Sequence, residues 1–297
     1  MSEIARDASE AADSNLSYFR RENLPHIWCP GCGHGTVTGS LVRAIRRQGL
    51  DKNKVCIVSG IGCSSRAVGY LDFDTLHTAH GRALAFATGI KLARPELKVI
   101  VMTGDGDCAA IGGNHFIHAA RRNIDITTIV MNNNIYGMTS GQYSPMTPKG
   151  MYGTTAPYGN LERSFDLCEL AKAAGATYVG RGTSYHVPLL IDLIEAALQN
   201  KGFSMVEAIV QCPTYFGRKN KIGGAVEMLN WIKDGVVNVK AAASLPPEKV
   251  AGKKLIGELY NAPASEFAAL NEELIAKVQR TYERFQGGIY GCESNSD

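Results

Sequence analysis

The chain has 297 residues, of which 45% are hydrophobic and 20% are charged, and its formal net charge is +3. This composition is typical of a globular protein with one large core or two smaller ones, and it excludes fibrous and largely disordered proteins. The basic residues are scattered, without the clustered Lys/Arg and interleaved aromatic residues of a nucleic-acid groove, so we expect no nucleic-acid partner.

The first residues and the cysteines indicate a cellular compartment. "MSEIARDASEAADS" is small, polar and acid-containing, unlike a signal peptide or membrane anchor, and no later apolar run reaches spanning length. The eight cysteines are irregularly spaced, which does not favour a disulfide framework. We therefore expect a cytoplasmic protein without membrane contact.

Short β-branched runs alternate with helical patterns along the chain. This alternation predicts an α/β fold with a doubly wound, mostly parallel sheet and helices on both faces. Strands are expected at residues 54–60, 97–104, 125–133, 176–180 and 203–211. Helices are expected at residues 81–93, 112–122, 165–175 and 187–199.

The composition also predicts domain boundaries. Residues 1–15 are expected to form a flexible arm, and residues 16–235 a single α/β domain. Residues 236–297 are expected to form a linker, a helix and a tail in contact with another subunit. The linker is "SLPPEKVAGKK" (244–254), and an amphipathic pattern predicts the helix over 265–285, packed on its own domain or on a partner chain.

The segment "WCPGCGHG" (28–35) contains a C-x-x-C pair. Such a pair occurs in redox dithiols, in zinc sites and in iron–sulfur clusters, and the eight residues alone do not distinguish them.

Polar and thiol residues follow several of the expected strands. Cys63 follows the first strand, "GDGD" (104–107) the second, "NNN" (132–134) the third, and Cys212 the last. Because the carboxyl ends of parallel strands share one edge of a sheet, these segments should be neighbours. A carboxylate and a carboxamide there can bind Mg²⁺ through oxygen atoms, and glycines let backbone N–H groups approach a diphosphate.

The G-D-G and N-N segments, one helix and one strand apart, resemble the thiamine-diphosphate motif. In that family the Asp, the second Asn and the backbone carbonyl two residues later hold the metal. The resemblance implies that Asp105, Asn133 and the Ile135 carbonyl bind Mg²⁺.

Six longer segments resemble one particular family of thiamine-diphosphate enzymes. They are "WCPGCGHG", "GIGCSS", "HTAHGRALAFATGIKLARP", "GDGDCAAIGGNH", "NNNIYGMTSGQYSP" and "CPTYFGRKN". In this order they resemble the β subunit of 2-oxoacid:ferredoxin oxidoreductases, cytoplasmic complexes that convert a 2-oxo acid and coenzyme A into an acyl-CoA and CO₂ and reduce ferredoxin. The resemblance implies thiamine diphosphate, Mg²⁺ and one [4Fe–4S] cluster.

In this family a C-x-x-C pair, a Cys in a G-x-G-C segment and a distant fourth Cys hold the cluster. The ligands implied here are Cys29, Cys32, Cys63 and Cys212. A zinc site would lack the usual second C-x-x-C pair, and a redox dithiol would leave the two later cysteines unexplained. The remaining cysteines are interpreted as buried packing residues or, in the tail, as incidental: Cys56, Cys108, Cys168 and Cys292.

The resemblance also implies which residues surround the cofactor. His80 in "AHGR" would contact it near the substrate, and "YGMTSGQ" would wrap the diphosphate. The full expected set is Ile61, Gly62, Cys63, Ser64, His80, Gly81, Gly104, Asp105, Gly106, Asp107, Asn133, Ile135, Gly137, Met138 and Thr139. Three further histidines are interpreted as packing or capping residues: His34, His115 and His118.

The segment "CPTYFGRKNK" resembles family members that act on 2-oxoglutarate, which implies succinyl-CoA and CO₂ as products, or CO₂ fixation in reverse. A dicarboxylate needs an extra cation, and Arg66 is expected to supply it, with Arg218 as second candidate. Some relatives carry Lys at the position of Ser140. The alternatives are another 2-oxo acid such as pyruvate, a non-oxidative thiamine-dependent decarboxylase with a structural zinc, or a noncatalytic electron-transfer module.

The resemblance further implies that the chain is inactive alone. Thiamine enzymes use a Glu on a second domain to promote C2 deprotonation, and this chain resembles the diphosphate-binding domain only. An α subunit would supply that Glu and much of the substrate and CoA site, in an αβ heterodimer or a dimer of heterodimers that reduces ferredoxin.

Overall fold

The computed structural model describes residues 15–290, with side chains up to residue 283. The expected N-terminal arm, apart from its last residue, and the tail with Cys292 lie outside the described residues. None of the described helices combines the length and the apolar character needed to cross a bilayer.

The described residues alternate between strands and helices. The strands are β1 (Val55–Ser59), β2 (Asp74–His77), β3 (Lys98–Gly104), β4 (Ile126–Asn132), β5 (Ile135–Tyr136), β6 (Gln142–Tyr143), β7 (Tyr178–Thr183), β8 (Ser204–Ile209), β9 (Val236–Asn238) and β10 (Lys254–Asn261). The helices are α1 (His34–Arg47), α2 (Ala67–Tyr70), α3 (Ala83–Ala93), α4 (Gly113–Arg121), α5 (Leu167–Ala174), α6 (Val187–Gln199), α7 (Ala225–Asp234), α8 (Val239–Ala242), α9 (Pro247–Val250) and α10 (Phe267–Tyr290).

Eight strands form one sheet in the order β2-β1-β3-β4-β8-β7-β10-β9. β10 is antiparallel to β7, and every other neighbouring pair in this sheet is parallel. β5 and β6 form a separate antiparallel hairpin. The doubly wound, mostly parallel α/β fold predicted from the sequence is confirmed.

The central strands bury side chains on both faces of the sheet. On β3, Ile100 and Met102 pack with α1 and α6, whereas Val99 and Val101 pack with α3, α4 and α5. All four side chains are fully buried. Because successive strand residues point to opposite faces, a strand covered on both sides favours a nearly continuous apolar run. That preference explains why these strands were recognisable in the sequence.

The sheet extends further than the sequence predicted. β10 pairs with β7, and β9 pairs with β10, so the sheet does not end at residue 235. Residues 244–254, expected to form a linker, hold the short helix α9 and the first residue of β10. Gly257, with φ of +118°, and a bulge between Glu258 and Tyr260 interrupt the strand pattern that would have revealed β10. The expected C-terminal helix is confirmed as α10.

The register of the sheet aligns the ends of the central strands. Ser59 pairs with Met102, and Asn132 pairs with Ile209. The loops that follow β1, β3, β4 and β8 therefore leave the sheet side by side, at the edge where ligands bind in parallel α/β sheets.

Candidate cofactor and cluster site

A cleft opens where these loops meet. All but one of the expected cofactor-contacting residues line it: Ile61, Gly62, Cys63, Ser64, His80, Gly104, Asp105, Gly106, Asp107, Asn133, Ile135, Gly137, Met138 and Thr139. The exception is Gly81, whose N–H donates to Oδ1 of Asp107 at 2.7 Å. The cleft also contains His34, Met131 and Tyr136, which the cofactor assignment from the sequence omitted.

Asp107 ties three segments of the cleft together. Its carboxylate accepts hydrogen bonds from the Ile61 N–H at 3.2 Å, the Gly81 N–H at 2.7 Å and the Thr103 hydroxyl at 2.7 Å. His80 Nδ1 lies 2.6 Å from Oδ1 of the same carboxylate. Asp107 is 3% exposed. The structure thus gives it a role in holding the loops that follow β1, β2 and β3 in place.

Asp105 and Asn133 present oxygen atoms at the ends of β3 and β4. Asp105 is 3% exposed, and its Oδ2 accepts a hydrogen bond from the Ser144 hydroxyl at 2.6 Å. Burial raises the pKa of Asp105 to about 7, against the lowering effect of the Ser144 hydrogen bond. Oδ1 of Asn133 accepts from the Ile135 N–H at 3.2 Å. A divalent cation would restore the ionised form of the buried carboxylate, since an opposite charge lowers a carboxyl pKa.

Two glycines of the cleft cannot be replaced without movement. Gly62 has φ of +124°, a conformation that L side chains rarely adopt. A methyl group on Gly106 would lie 2.2 Å from Cε1 of Tyr136, whose hydroxyl donates to the Gly106 carbonyl at 3.2 Å. Bare backbone at these positions keeps the cleft open.

A buried hydroxyl faces the cleft without a hydrogen-bond partner among the described residues. The Ser64 hydroxyl is buried and makes no hydrogen bond within the described residues. It would lie 3.0 Å from a methyl group on Gly104, so it faces the start of the expected metal loop. An unsatisfied buried hydroxyl is costly, and a bound ligand with hydrogen-bonding atoms would satisfy it.

The four expected cluster cysteines line one cavity of about 220 Å³. In the C-x-x-C turn, the Cys32 N–H donates to the Cys29 carbonyl at 3.0 Å. A methyl group on Gly137 would lie 3.3 Å from Sγ of Cys63 and 3.9 Å from Sγ of Cys212, so these two sulfurs flank the same backbone position. The structure therefore brings together all four thiols that the family resemblance selected.

Backbone N–H groups surround these sulfurs. The backbone of His34 lowers the pKa of the Cys32 thiol, that of Met138 lowers the pKa of Cys63, and those of Phe216 and Tyr215 lower the pKa of Cys212, which places these N–H groups beside the sulfurs. Burial, with smaller contributions from the neighbouring thiols, raises the pKa of Cys32 to about 12 and that of Cys63 to about 11. Burial raises the pKa of Cys212 as well. A cationic metal would replace the thiol protons and stabilise the anionic sulfurs.

No three His, Cys, Asp or Glu side chains of the described residues converge closely enough to hold a single metal ion. The expected Mg²⁺ site is not such a group, since its ligands are one carboxylate, one carboxamide and one backbone carbonyl.

The cleft and the cysteine cavity are adjacent. Five residues line both of them: His34, Cys63, Asn133, Gly137 and Met138. His34 is 1% exposed, and its Nδ1 lies 3.0 Å from Sγ of Cys32. Burial lowers the pKa of His34 to about 4, so the ring is neutral at neutral pH.

The two candidate substrate cations lie in different places. Arg66 lines the cysteine cavity, and its Nε is buried without a hydrogen-bond partner in the described part of the chain. Arg218 is exposed and lines neither cavity. Of the cysteines interpreted as packing residues, Cys56, Cys108 and Cys168 are all buried within the core.

A buried polar network that the sequence did not reveal holds the residues beside Asn133 in place. Glu207, fully buried on β8, accepts from Arg181 Nε at 2.6 Å and from Asn132 Nδ2 at 2.7 Å. Asn132 Oδ1 in turn accepts from the Asn134 N–H at 3.0 Å. The network therefore runs from β7 through β8 to the residues that flank Asn133.

Comparisons with known proteins agree with this architecture. The family model "Thiamine pyrophosphate enzyme, C-terminal TPP binding domain" matches residues 60–208. That span begins just after β1, includes β2 to β7 with the expected metal loop, and ends within β8. The fold and the cleft are those of a thiamine diphosphate-binding enzyme.

Similar proteins indicate which family of thiamine diphosphate-binding enzymes includes this chain. The 2-oxoglutarate synthase subunit KorB of Methanothermobacter marburgensis is 55% identical over 84% of this chain and 88% of its own length. The KorB subunit of Methanocaldococcus jannaschii is 50% identical over 89% and 98%. The chain belongs to the family of β subunits of 2-oxoacid:ferredoxin oxidoreductases.

A solved structure shares both fold and sequence. It is 2-oxoglutarate:ferredoxin oxidoreductase from Magnetococcus marinus with 2-oxoglutarate, coenzyme A and succinyl-CoA bound, with a TM-score of 0.80 and 35% identity. The similarity covers 89% of this chain and 90% of that chain.

Proposed function

We propose that this chain is the β subunit of a 2-oxoglutarate:ferredoxin oxidoreductase, which converts 2-oxoglutarate and CoA into succinyl-CoA and CO₂ and passes two electrons, one at a time, to ferredoxin. The observation that carries the proposal is the shared wall between the cofactor cleft and the four-cysteine cavity. A cofactor that releases electrons in the cleft would lie beside a group that accepts them.

Thiamine diphosphate supplies an electron sink for the carbon that loses CO₂. In the cleft, Asp105, Asn133 and the Ile135 carbonyl would hold Mg²⁺, and the metal would bind the diphosphate. The donor set consists of hard oxygen atoms, which Mg²⁺ prefers. His80, held 2.6 Å from Asp107, is positioned to contact the cofactor near the substrate.

Cys29, Cys32, Cys63 and Cys212 would hold one [4Fe–4S] cluster. Their thiols line one cavity, and backbone N–H groups lie beside the sulfurs of Cys32, Cys63 and Cys212, where they would stabilise anionic sulfur. The loop that carries Cys63 lines both cavities, so this residue would join the cluster to the cofactor site.

Arg66 is proposed to bind the distal carboxylate of 2-oxoglutarate. Its support is the buried, unpartnered Nε in the cavity beside the cleft. In the assembled complex, Arg66→Ala should raise KM for 2-oxoglutarate and leave that for pyruvate nearly unchanged. Equal losses for the two substrates would exclude this charge match.

An α subunit is proposed to complete the site, as an αβ heterodimer or a dimer of these. Several apolar residues at the site are exposed on this chain and would be covered by that partner. They include Ile27 (68% exposed), Ile61 (39%) and Met138 (46%). The cytoplasmic location stays a prediction.

The decisive experiment is anaerobic purification of the complex, followed by an assay for CoA-dependent reduction of a low-potential acceptor. Four irons with acid-labile sulfide per β chain, bound thiamine diphosphate and activity with 2-oxoglutarate support the proposal. A colourless zinc protein that releases CO₂ without reducing the acceptor would instead show a non-oxidative decarboxylase. Activity with pyruvate alone would reject the substrate assignment and retain the reaction class.

A further inference from the structure

His34 has a contact that neither packing nor helix capping explains. It is the first residue of α1, two positions after Cys32, and its ring is buried. The ring Nδ1 lies 3.0 Å from Sγ of Cys32. Among the described residues, no other side chain hydrogen-bonds to any of the four cysteine sulfurs that would hold the cluster.

The direction of this hydrogen bond follows from the state of the sulfur. A metal-bound cysteine is a thiolate, which carries no proton and can only accept. In the protein with its cluster, the imidazole must therefore present a protonated Nδ1 to Sγ of Cys32.

The surroundings hold the ring in this position. Trp28 lies beside it, with ring centroids 6.0 Å apart, and the Trp28 indole N–H donates to the Cys63 carbonyl at 2.7 Å. The start of α1 is fixed by a hydrogen bond of 3.2 Å from the Gly33 N–H to the Gln211 carbonyl. The imidazole is thus fixed between two of the cysteine segments.

His34 also occupies the wall between the two cavities. A donor to a cluster sulfur withdraws electron density from it, and hydrogen bonds to the sulfurs are one of the factors that set cluster potentials. The His34 ring would hydrogen-bond to the cluster on the side that faces the cofactor, which is the side where electrons would enter.

We propose that His34 is a positioning residue that donates its Nδ1–H to the Cys32 sulfur and thereby raises the reduction potential of the cluster. The inference rests on the proposed function, because it requires a cluster on the four cysteines. The cluster would accept one electron at a time from the cofactor-bound substrate, and ferredoxin would reoxidise the cluster before the second electron arrives. A higher reduction potential of the cluster would favour the transfer from the substrate to the cluster.

The test compares two variants in the assembled complex. His34→Phe keeps an aromatic ring beside Trp28 and removes the N–H, whereas His34→Asn keeps an N–H donor close to the position of Nδ1. The midpoint potential of the cluster is measured by a redox titration monitored by electron paramagnetic resonance. We expect a shift to more negative potential in His34→Phe, and a return towards the wild-type value in His34→Asn. His118→Leu, at an exposed position of α4, is the matched control and should leave the potential unchanged.

A second measurement uses the wild-type complex, in case a variant fails to assemble its cluster. With ¹⁵N-labelled histidine, the reduced cluster should show a magnetic coupling to one histidine nitrogen in pulsed electron paramagnetic resonance. Absence of that coupling, or a wild-type potential in His34→Phe with four irons present, would overturn the inference and leave the proposed function intact. A wild-type protein without any cluster would instead refute the proposed function itself.

Discussion

Glu207→Gln is expected to destabilise the centre of the sheet, because it removes the charge of a fully buried carboxylate. The carboxylate accepts from Arg181 through one oxygen and from Asn132 through the other. A carboxamide has one acceptor oxygen, so either the guanidinium or the Asn132 amide would face an N–H₂ group. Rotating the Asn132 amide does not help, since its oxygen already accepts from the Asn134 N–H.

The expected magnitude follows from the burial of the pair. Breaking a buried ion pair by removing one partner costs about 3–5 kcal/mol. Arg181 retains a second carboxylate, Asp166, at 2.5 Å, but 47% of that side chain is exposed and it compensates only in part. We therefore expect the lower end, about 3 kcal/mol, which corresponds to a roughly 150-fold change in an opening equilibrium.

Hydrogen exchange of the assembled complex, followed by mass spectrometry, measures this change locally. Amides of β7 and β8 should lose protection by that factor when exchange is limited by the opening equilibrium. The control is Glu169→Gln, an exposed residue whose partner Lys172 is 4.0 Å away, and it should change protection less than threefold. A Glu207→Gln complex with protection within threefold of wild type would refute the reasoning.

The Glu207–Arg181 pair also predicts how the stability of the fold depends on pH. Burial alone would raise the pKa of Glu207, but the Arg181 charge outweighs it and lowers the pKa from 4.5 to about 2. A carboxyl whose pKa is lower in the folded state stabilises the fold fully above its unfolded pKa and loses that contribution as the pH falls towards 2. The difference between wild type and Glu207→Gln should therefore be the same at pH 7 and pH 5. A difference that vanishes by pH 5 would show that the carboxylate is not held ionised.

Three further substitutions test the cofactor and cluster sites separately. Asp105→Asn should abolish Mg²⁺-dependent binding of thiamine diphosphate, measured by calorimetry, and leave the iron content unchanged; loss of iron would show that the two sites are not independent. Gly106→Ala should weaken thiamine diphosphate binding more than about tenfold, roughly 1.4 kcal/mol. Gly113→Ala is the control, because a methyl group there would meet open space, and it should leave the affinity unchanged. Equal affinities of the two variants would contradict the steric argument. Cys212→Ser should lose the intact four-iron cluster and Cys168→Ser should retain it, as measured by iron and sulfide analysis; the reverse would reassign the ligands.

The fold could be predicted from the sequence where a strand is covered on both faces. Val99 to Met102 form an apolar run that indicates a buried strand, and β1 follows the same rule. β4 and β8 are equally buried and mostly apolar, although Thr127, Thr128 and Glu207 interrupt their runs. β2 and β10 lie outside this rule, because they are partly exposed and carry polar residues. They form strands because they pair with a neighbouring strand, and the local sequence does not predict that pairing.

The sequence by itself determined the residue types and the edge at which they meet. Asp105, Asn133 and the C-x-x-C pair were identified from motifs, since chain order in a parallel sheet fixes which strand ends share an edge. Only the tertiary structure decided that the four thiols line one cavity and that this cavity shares a wall with the cleft. It also decided the roles proposed for His34 and Glu207, because a hydrogen-bond partner from a distant strand, or the direction of a side chain, is set by packing and leaves no periodic signal in the sequence.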